Sequence, residues 1–155
     1  PSDYDHGRDF VADLDKFFGN LPKGWPYAVE MRNKNWLAPE YFACLARHGI
    51  THVFNSWDAM PPVSEQMGLP GSQTHPELVA ARFLLKPGRK YEEAVKTFQP
   101  YDKTKEVNEE ARKAGANLIK EGKSPDKQKK TLIFVNNRLE GNALNTIAAM
   151  VEGSS

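Results

Sequence analysis

Charged and amide side chains lie at the polar ends of several short apolar segments of this chain. Glu30 and Arg32 end the first such segment, Arg82 lies near the end of a later one, and Asn136 and Asn137 follow the last. Guanidinium groups hold phosphate or carboxylate by forked hydrogen bonds, and a nearby carboxylate can take a proton. These residue types predict a pocket for a small anionic or polyhydroxylated ligand.

Each of these side chains has an expected role in that pocket. Glu30 is the first candidate general base, and Asp58 is the second catalytic candidate. Arg32 and Arg82 would fix the anion, and Asn137 would orient the substrate. The ligand-binding candidates are Arg32, Trp36, Asn55, Arg82, Arg89, Asn136, Asn137 and Glu140. Hydrolysis of a phosphorylated or glycosidic substrate fits this set, so an enzyme is one of two hypotheses; the other is a non-catalytic binding or assembly module, or a fragment without independent activity.

Structural roles would explain the same residues without a ligand. Glu30 paired with Arg32 or Arg82 would only fill the interior, because buried charges need partners. The asparagines around Gly141 would serve as a strand exit and a helix cap, for which asparagine is favoured. Trp36 and Trp57 follow strand ends, where they would either line a pocket for a sugar or base or close the loop onto the core.

The spacing of the potential metal ligands along the chain gives little support for a metal site. The four histidines (His6, His48, His52 and His75) show no zinc-ligand spacing, so no zinc site is expected. Cys44 is the single cysteine and is expected in the core, without a disulfide. A magnesium ion on carboxylates such as Glu30, Asp58 or Glu140 stays open, because this ion keeps several waters and needs few protein ligands. No other cofactor is evident.

Composition narrows the function classes. The 155 residues carry 21 Lys plus Arg against 20 Asp plus Glu, with 39% hydrophobic residues, which is ordinary for a folded domain and gives no broad positive field for nucleic acid. The lysines near the segment 122–130 are expected to form a solvated linker. No window reaches the ~18 apolar residues of a membrane span, and the first residues do not resemble a secretion signal. A cytoplasmic protein without a membrane partner is therefore expected.

Hydrophobic spacing predicts alternating helices and strands. Steps of three and four residues predict the helices, and short apolar runs predict the strands. The segment 59–75, rich in Pro and Gly, is expected to be a long loop. Strands that alternate with helices favour a parallel sheet, with its ligands at the carboxyl ends of the strands. The predicted helices are 7–21, 38–48, 91–98, 107–121 and 140–150, and the predicted strands are 27–32, 50–55, 78–85 and 131–135.

Three segments together resemble the YecE-like proteins, domain-of-unknown-function family 72. Residues 27–36 read YAVEMRNKNW and are similar to the family's AVEFRHPSW signature. Residues 78–83 look like its FVYVRLHG strand, matched at Arg82, and residues 133–142 resemble its closing VYFNNxxxGxAxxNA motif. The resemblance implies an α/β fold, a parallel-stranded TIM-like (β/α) barrel, and carries no reaction with it.

The resemblance covers the carboxyl-terminal half of such a barrel. A full barrel has eight strands and typically ~250 residues, whereas four strands are predicted here. We expect residues 1–155 to form a single domain, about half a barrel with four strands and their helices. Unpaired strand edges invite pairing, so self-association or a complementary half-barrel is the expected partner, beside a small-molecule ligand.

Overall fold

The chain forms a four-stranded parallel sheet with helices between its strands. The computed structural model describes residues 7–126 and 129–155. The sheet is parallel, as predicted, and strand order in space follows order in sequence, β1-β2-β3-β4, which is common for repeated strand–helix–strand units. The strands are β1 (Ala28–Val29), β2 (Thr51–Ser56), β3 (Leu78–Phe83) and β4 (Lys130–Val135). The helices are α1 (Gly7–Gly19), α2 (Pro39–Arg47), α3 (Val63–Met67), α4 (Tyr91–Phe98), α5 (Glu109–Lys123) and α6 (Ala143–Glu152).

The register of the sheet aligns the carboxyl ends of its strands. Asn55 of β2 lies beside Arg82 of β3, and Arg82 lies beside Phe134 of β4. Because all the strands run the same way, the residues that follow β1, β2, β3 and β4 meet at one edge. This edge carries the polar side chains singled out in the sequence.

The two faces of the sheet differ. Val79, Ala81 and Phe83 of β3 are buried in a core that also contains residues of α3, α5 and α6. Side chains alternate along a strand, so Leu78, Ala80 and Arg82 point to the opposite face. There they line an open groove of about 750 Å³ together with Ala28, Val53, Leu132 and Phe134, among others. Phe134 is 56% exposed on this face.

A second core lies between α1 and α2. Phe18 of α1 packs with Tyr41, Phe42 and Leu45 of α2, all of them buried. The apolar residues of each helix recur at three- and four-residue steps, so one side of each helix is apolar. This packing fixes the segment 30–37 that joins β1 to α2.

The structure differs from the predicted elements at three places. The first strand is two residues rather than six, and a short 3-10 helix (Lys34–Trp36) follows it, with Asn33 accepting a hydrogen bond from the Asn35 amide as its cap. The predicted loop 59–75 contains α3. α3 follows two prolines and has five residues, which is too short for a helical spacing of apolar residues to be recognised in the sequence.

The remaining boundaries shift by a few residues. The helix predicted over 107–121 is α5, which begins at Glu109 because Asn108 caps it, and the helix predicted over 140–150 is α6, capped by Asn142. Part of the predicted linker 122–130 belongs to α5 and β4, and its residues 127–128 lie outside the described residues, as does His6. Over 7–126 and 129–155, no helix is long and apolar enough to cross a membrane.

Candidate functional site

Glu30 joins two arginines at the carboxyl edge of the sheet. Its Oε1 accepts a hydrogen bond from Arg32 Nε at 2.8 Å, and its Oε2 accepts one from Arg82 Nη1. The Glu30 carboxylate is 14% exposed, whereas the Arg32 and Arg82 side chains are 44% and 41% exposed. Both carboxylate oxygens are therefore engaged, while much of each guanidinium group faces open space.

A small cavity lies beside these arginines. It measures about 210 Å³, and Arg32, Arg82 and Arg138 line it from different segments of the chain. Among the described residues that line it there is no carboxylate. Even when the charge of Glu30 is counted, this site keeps an excess of positive charge, which suits an anion.

Two aromatic rings hold the outer arginines in place. The guanidinium carbon of Arg32 lies 4.2 Å from the centre of the Trp57 ring, and that of Arg138 lies 4.6 Å from the centre of the Tyr91 ring. Stacking on an aromatic face orients a guanidinium group and leaves its N–H groups free to donate in the ring plane. Trp57 and Tyr91 also line the cavity.

Asp58 and Arg89 have other partners. Asp58 pairs with Lys90, and this pairing raises the pKa of Lys90. Arg89 donates to Glu106 at 2.8 Å and lies near Glu93, and the Arg89 guanidinium lowers the pKa of Glu106. Neither Asp58 nor Arg89 lines the cavity.

Asn55 and Trp36 serve the interior. Asn55 is fully buried, and its Nδ2 donates to the carbonyl oxygen of Met31 at 2.7 Å. The Gln66 side chain of α3 donates to the backbone carbonyl oxygen of Asn55 and accepts from the Asn55 backbone N–H. These two hydrogen bonds attach α3 to β2. Trp36 stacks on Phe10, with ring centres 4.3 Å apart, in the core between α1 and α2.

The two asparagines after β4 have different positions. Asn136 lines the cavity, and its Oδ1 accepts a hydrogen bond from the Arg138 amide. This turn places the Arg138 side chain at the cavity. Asn137 Oδ1 instead accepts from the Ala143 amide at 2.8 Å and ties the end of β4 to the start of α6. Arg32, Arg82 and Asn136 therefore lie together at the cavity, as the pocket hypothesis requires. Asn137, which was expected to orient the substrate there, does not line it.

Glu140 is an internal anchor. It is fully buried, and its carboxylate takes two parallel hydrogen bonds from Arg112 at 2.9 Å, one from Thr146 and one from the Asn108 amide. The same pairing raises the pKa of Arg112. Glu140 precedes α6, and its contacts together link the start of α5 to α6. Glu140 therefore lies outside the candidate site.

Four lining residues were not considered as site residues in the sequence, Leu84, Leu85, Tyr91 and Arg138, and a fifth, Trp57, was considered only as a pocket or loop residue. Each follows a strand end or opens the next helix, so their positions after β2, β3 and β4 were the available signal.

The charge of this edge also affects which ion could bind there. The oxygens of Glu30 face guanidinium groups, an arrangement that fits an anion rather than magnesium.

Comparison with known proteins identifies the family. A family model described as protein of unknown function DUF72 matches residues 1–154. The chain belongs to the DUF72 family. No curated protein matched the sequence.

Two crystal structures of a DUF72 family protein from Enterococcus faecalis resemble the chain. One matches with a TM-score of 0.61 and 19% identity over 94% of this chain and 53% of that one. The other matches with a TM-score of 0.57 and 16% identity over 96% of this chain and 55% of that one. These matches support the α/β fold, and this DUF72 chain spans about half the length of the solved structures it matches.

Proposed function

We propose that the carboxyl edge of this DUF72 chain binds a small ligand through a phosphate or carboxylate group. The observation that carries the proposal is the cavity of about 210 Å³ that Arg32, Arg82 and Arg138 line, with no carboxylate among the described lining residues. Arginine forks match both oxyanions geometrically. Ligand sites for larger molecules commonly measure ~300–1,000 Å³, so the cavity fits a small anion or the anionic end of a longer molecule.

The geometry supports binding better than hydrolysis. A general base must reach the proton that it removes, yet both oxygens of Glu30 already accept hydrogen bonds from arginines. Asp58, the other catalytic candidate, is paired with Lys90 and does not line the cavity. Turnover would require Glu30 to take a proton through a lone pair that neither arginine uses, whereas binding needs no proton transfer.

Thermal-shift titration tests the proposal. A ligand that binds only the folded state raises the unfolding temperature as its concentration rises. Inorganic phosphate should raise this temperature for the unmodified chain and much less for Arg138→Gln. Arg47→Gln is the matched control, because Arg47 is exposed and pairs with Asp15 away from the cavity.

A panel of phosphoesters and glycosides separates binding from hydrolysis in the same samples. The proposal expects phosphoesters to stabilise the chain without product formation. Product formation that disappears in Glu30→Gln would support a hydrolase. Equal shifts with phosphate for the unmodified chain and for Arg138→Gln would contradict anion binding at this cavity.

A second candidate function is assembly, which the open face of the sheet favours. We propose that the sheet is half of a TIM-like barrel and that a second copy of the chain covers it. The groove of about 750 Å³ on this face is lined mainly by apolar side chains. The matched solved chains are almost twice as long as the matched region, so a second copy is about the right size.

Sedimentation velocity tests this assembly. Phe134 lies on the open face, so Phe134→Lys should shift a dimer to monomer. Lys96→Glu is the control, because Lys96 lies on α4, away from the groove lining. A monodisperse monomer of the unmodified chain at all concentrations would contradict self-association.

A further inference from the structure

A second cluster of reactive side chains lies between α1 and α2, outside the anion site. Asp15 of α1 meets Cys44 and His48 of α2, and one ligand atom from each lies within 4.8 Å of the others. The Asp15 Oδ1 atom lies 2.8 Å from His48 Nε2 and 3.8 Å from Cys44 Sγ.

Helix geometry explains why Cys44 and His48 act together. Residues four apart lie one above the other on the same face of a helix. That face of α2 packs against α1, which brings in the carboxylate of Asp15. Carboxylate oxygen, thiolate sulfur and imidazole nitrogen are all zinc ligands, at ~2.0–2.3 Å from the ion.

We propose that Asp15, Cys44 and His48 form a binding site for zinc or a similar borderline divalent ion. Tetrahedral coordination at those bond lengths separates ligand atoms by about 3.3–3.8 Å, close to the spacing of this cluster. Three protein ligands leave a fourth position for water.

Three changes accompany binding. The Cys44 thiol gives up its proton to solvent when sulfur bonds to the ion. His48 Nε2 donates to Asp15 without the ion, so Nε2 must lose its hydrogen to bind the ion, and the ring then carries its hydrogen on Nδ1. For a His48 ring that is neutral before and after binding, the site gains one positive charge in total. Arg47 Nη1 lies 3.1 Å from Asp15 Oδ1 and competes with the ion for this oxygen. The Arg47 side chain is mostly exposed, so it can turn into water without breaking the core.

A metal site between α1 and α2 would explain two contacts that hydrophobic packing does not require. Cys44 is fully buried yet directs its sulfur toward a carboxylate, and His48 shares that same carboxylate oxygen. The site would cross-link α1 to α2. It does not involve the anion cavity, so the two proposals stand or fall separately.

Cobalt(II) titration of the untagged chain tests the site. Cobalt takes zinc sites of this kind, and a cobalt–thiolate bond gives a near-ultraviolet charge-transfer band together with visible bands of four-coordinate cobalt. Cys44 is the only cysteine of the sequence, so the band reports this position alone. We expect the band to saturate at one cobalt per chain and to disappear when zinc is added.

Variants decide between a site and adventitious binding. His48→Gln and Asp15→Asn should each weaken cobalt binding at least tenfold, while His75→Gln, which changes a loop histidine, should not. Arg47→Gln keeps every ligand and should tighten binding about two- to fivefold, the size of an exposed ion pair. Absence of a thiolate band in the unmodified chain, or a band unchanged in both His48→Gln and Asp15→Asn, would overturn the proposal.

Discussion

Glu30 and Glu140 have the same chemistry in two different surroundings. Each is a carboxylate that follows a strand and is held by arginine. Glu140 is fully buried and faces only protein groups. Glu30 is slightly exposed, and its arginines are more than 40% exposed beside a cavity. An Arg–carboxylate pair is therefore a structural anchor where the carboxylate is enclosed and its arginine is mostly covered, and a binding candidate where the arginines are more exposed beside a cavity.

The largest expected effect is on the enclosed pair. Glu140→Gln removes the charge that compensates Arg112 and weakens the contacts to Asn108 and Thr146. Breaking a buried pair costs about 3–5 kcal/mol, and the partial exposure of Arg112 places this change near the lower end. Urea unfolding measures the free energy of unfolding. A loss below about 1 kcal/mol would remove the distinction between the two carboxylates.

The pKa of the buried His52 side chain gives a second measure of how burial changes a charged group. Burial lowers the pKa of His52 from 6.5 to about 4, and its Nδ1 lies 3.2 Å from the Tyr41 hydroxyl. The unfolded chain therefore takes up a proton below pH 6.5 while the folded chain does not. The part of the free energy of unfolding that depends on His52 is therefore fully present above pH 6.5 and decreases as the pH falls toward 4.

This loss should be about 2 kcal/mol between pH 7 and pH 5, from about 1.4 kcal/mol per pH unit. Denaturant unfolding at both pH values measures it. His52→Gln should flatten the dependence, and His75→Gln should preserve it. An unchanged slope in His52→Gln would mean that another group titrates.

The smallest effect on stability is expected at the open pair. Glu30→Gln keeps an acceptor for one arginine and removes the charge that competes with a bound anion. The free energy of unfolding should change by less than about 1 kcal/mol, as for exposed ion pairs. Phosphate affinity should rise about two- to fivefold, measured by calorimetry. A fall in affinity would mean that Glu30 is needed to position the arginines.

The sequence predicted the order of helices and strands and the parallel sheet, because hydrophobic spacing reports which side of an element is buried. It also offered a pair of Glu30 with Arg32 or with Arg82 as a structural alternative, and the structure contains both pairs although Glu30 and Arg32 follow β1 rather than belong to it. It could not separate Glu140 from Glu30, because burial depends on packing between α5 and α6, which are distant in sequence from β1. Nor could it find Arg138 at the cavity, because its position depends on the Asn136 turn.

The interhelical cluster shows the same limit. Cys44 and His48 have helical spacing, but their third partner, Asp15, lies about thirty residues earlier. Only the packing of α1 on α2 brings it close. Spacing along the chain alone therefore predicted no zinc site.

Calorimetric titration of inorganic phosphate tests anion binding at the carboxyl edge most directly. The measured quantity is the dissociation constant for the unmodified chain, for Arg47→Gln and for the double variant Arg82→Gln with Arg138→Gln. Each lost charged hydrogen bond costs about 1.5–3 kcal/mol, so the double variant should bind at least a hundredfold more weakly, with Arg47→Gln unchanged. Equal dissociation constants for all three proteins would contradict an anion site in this cavity.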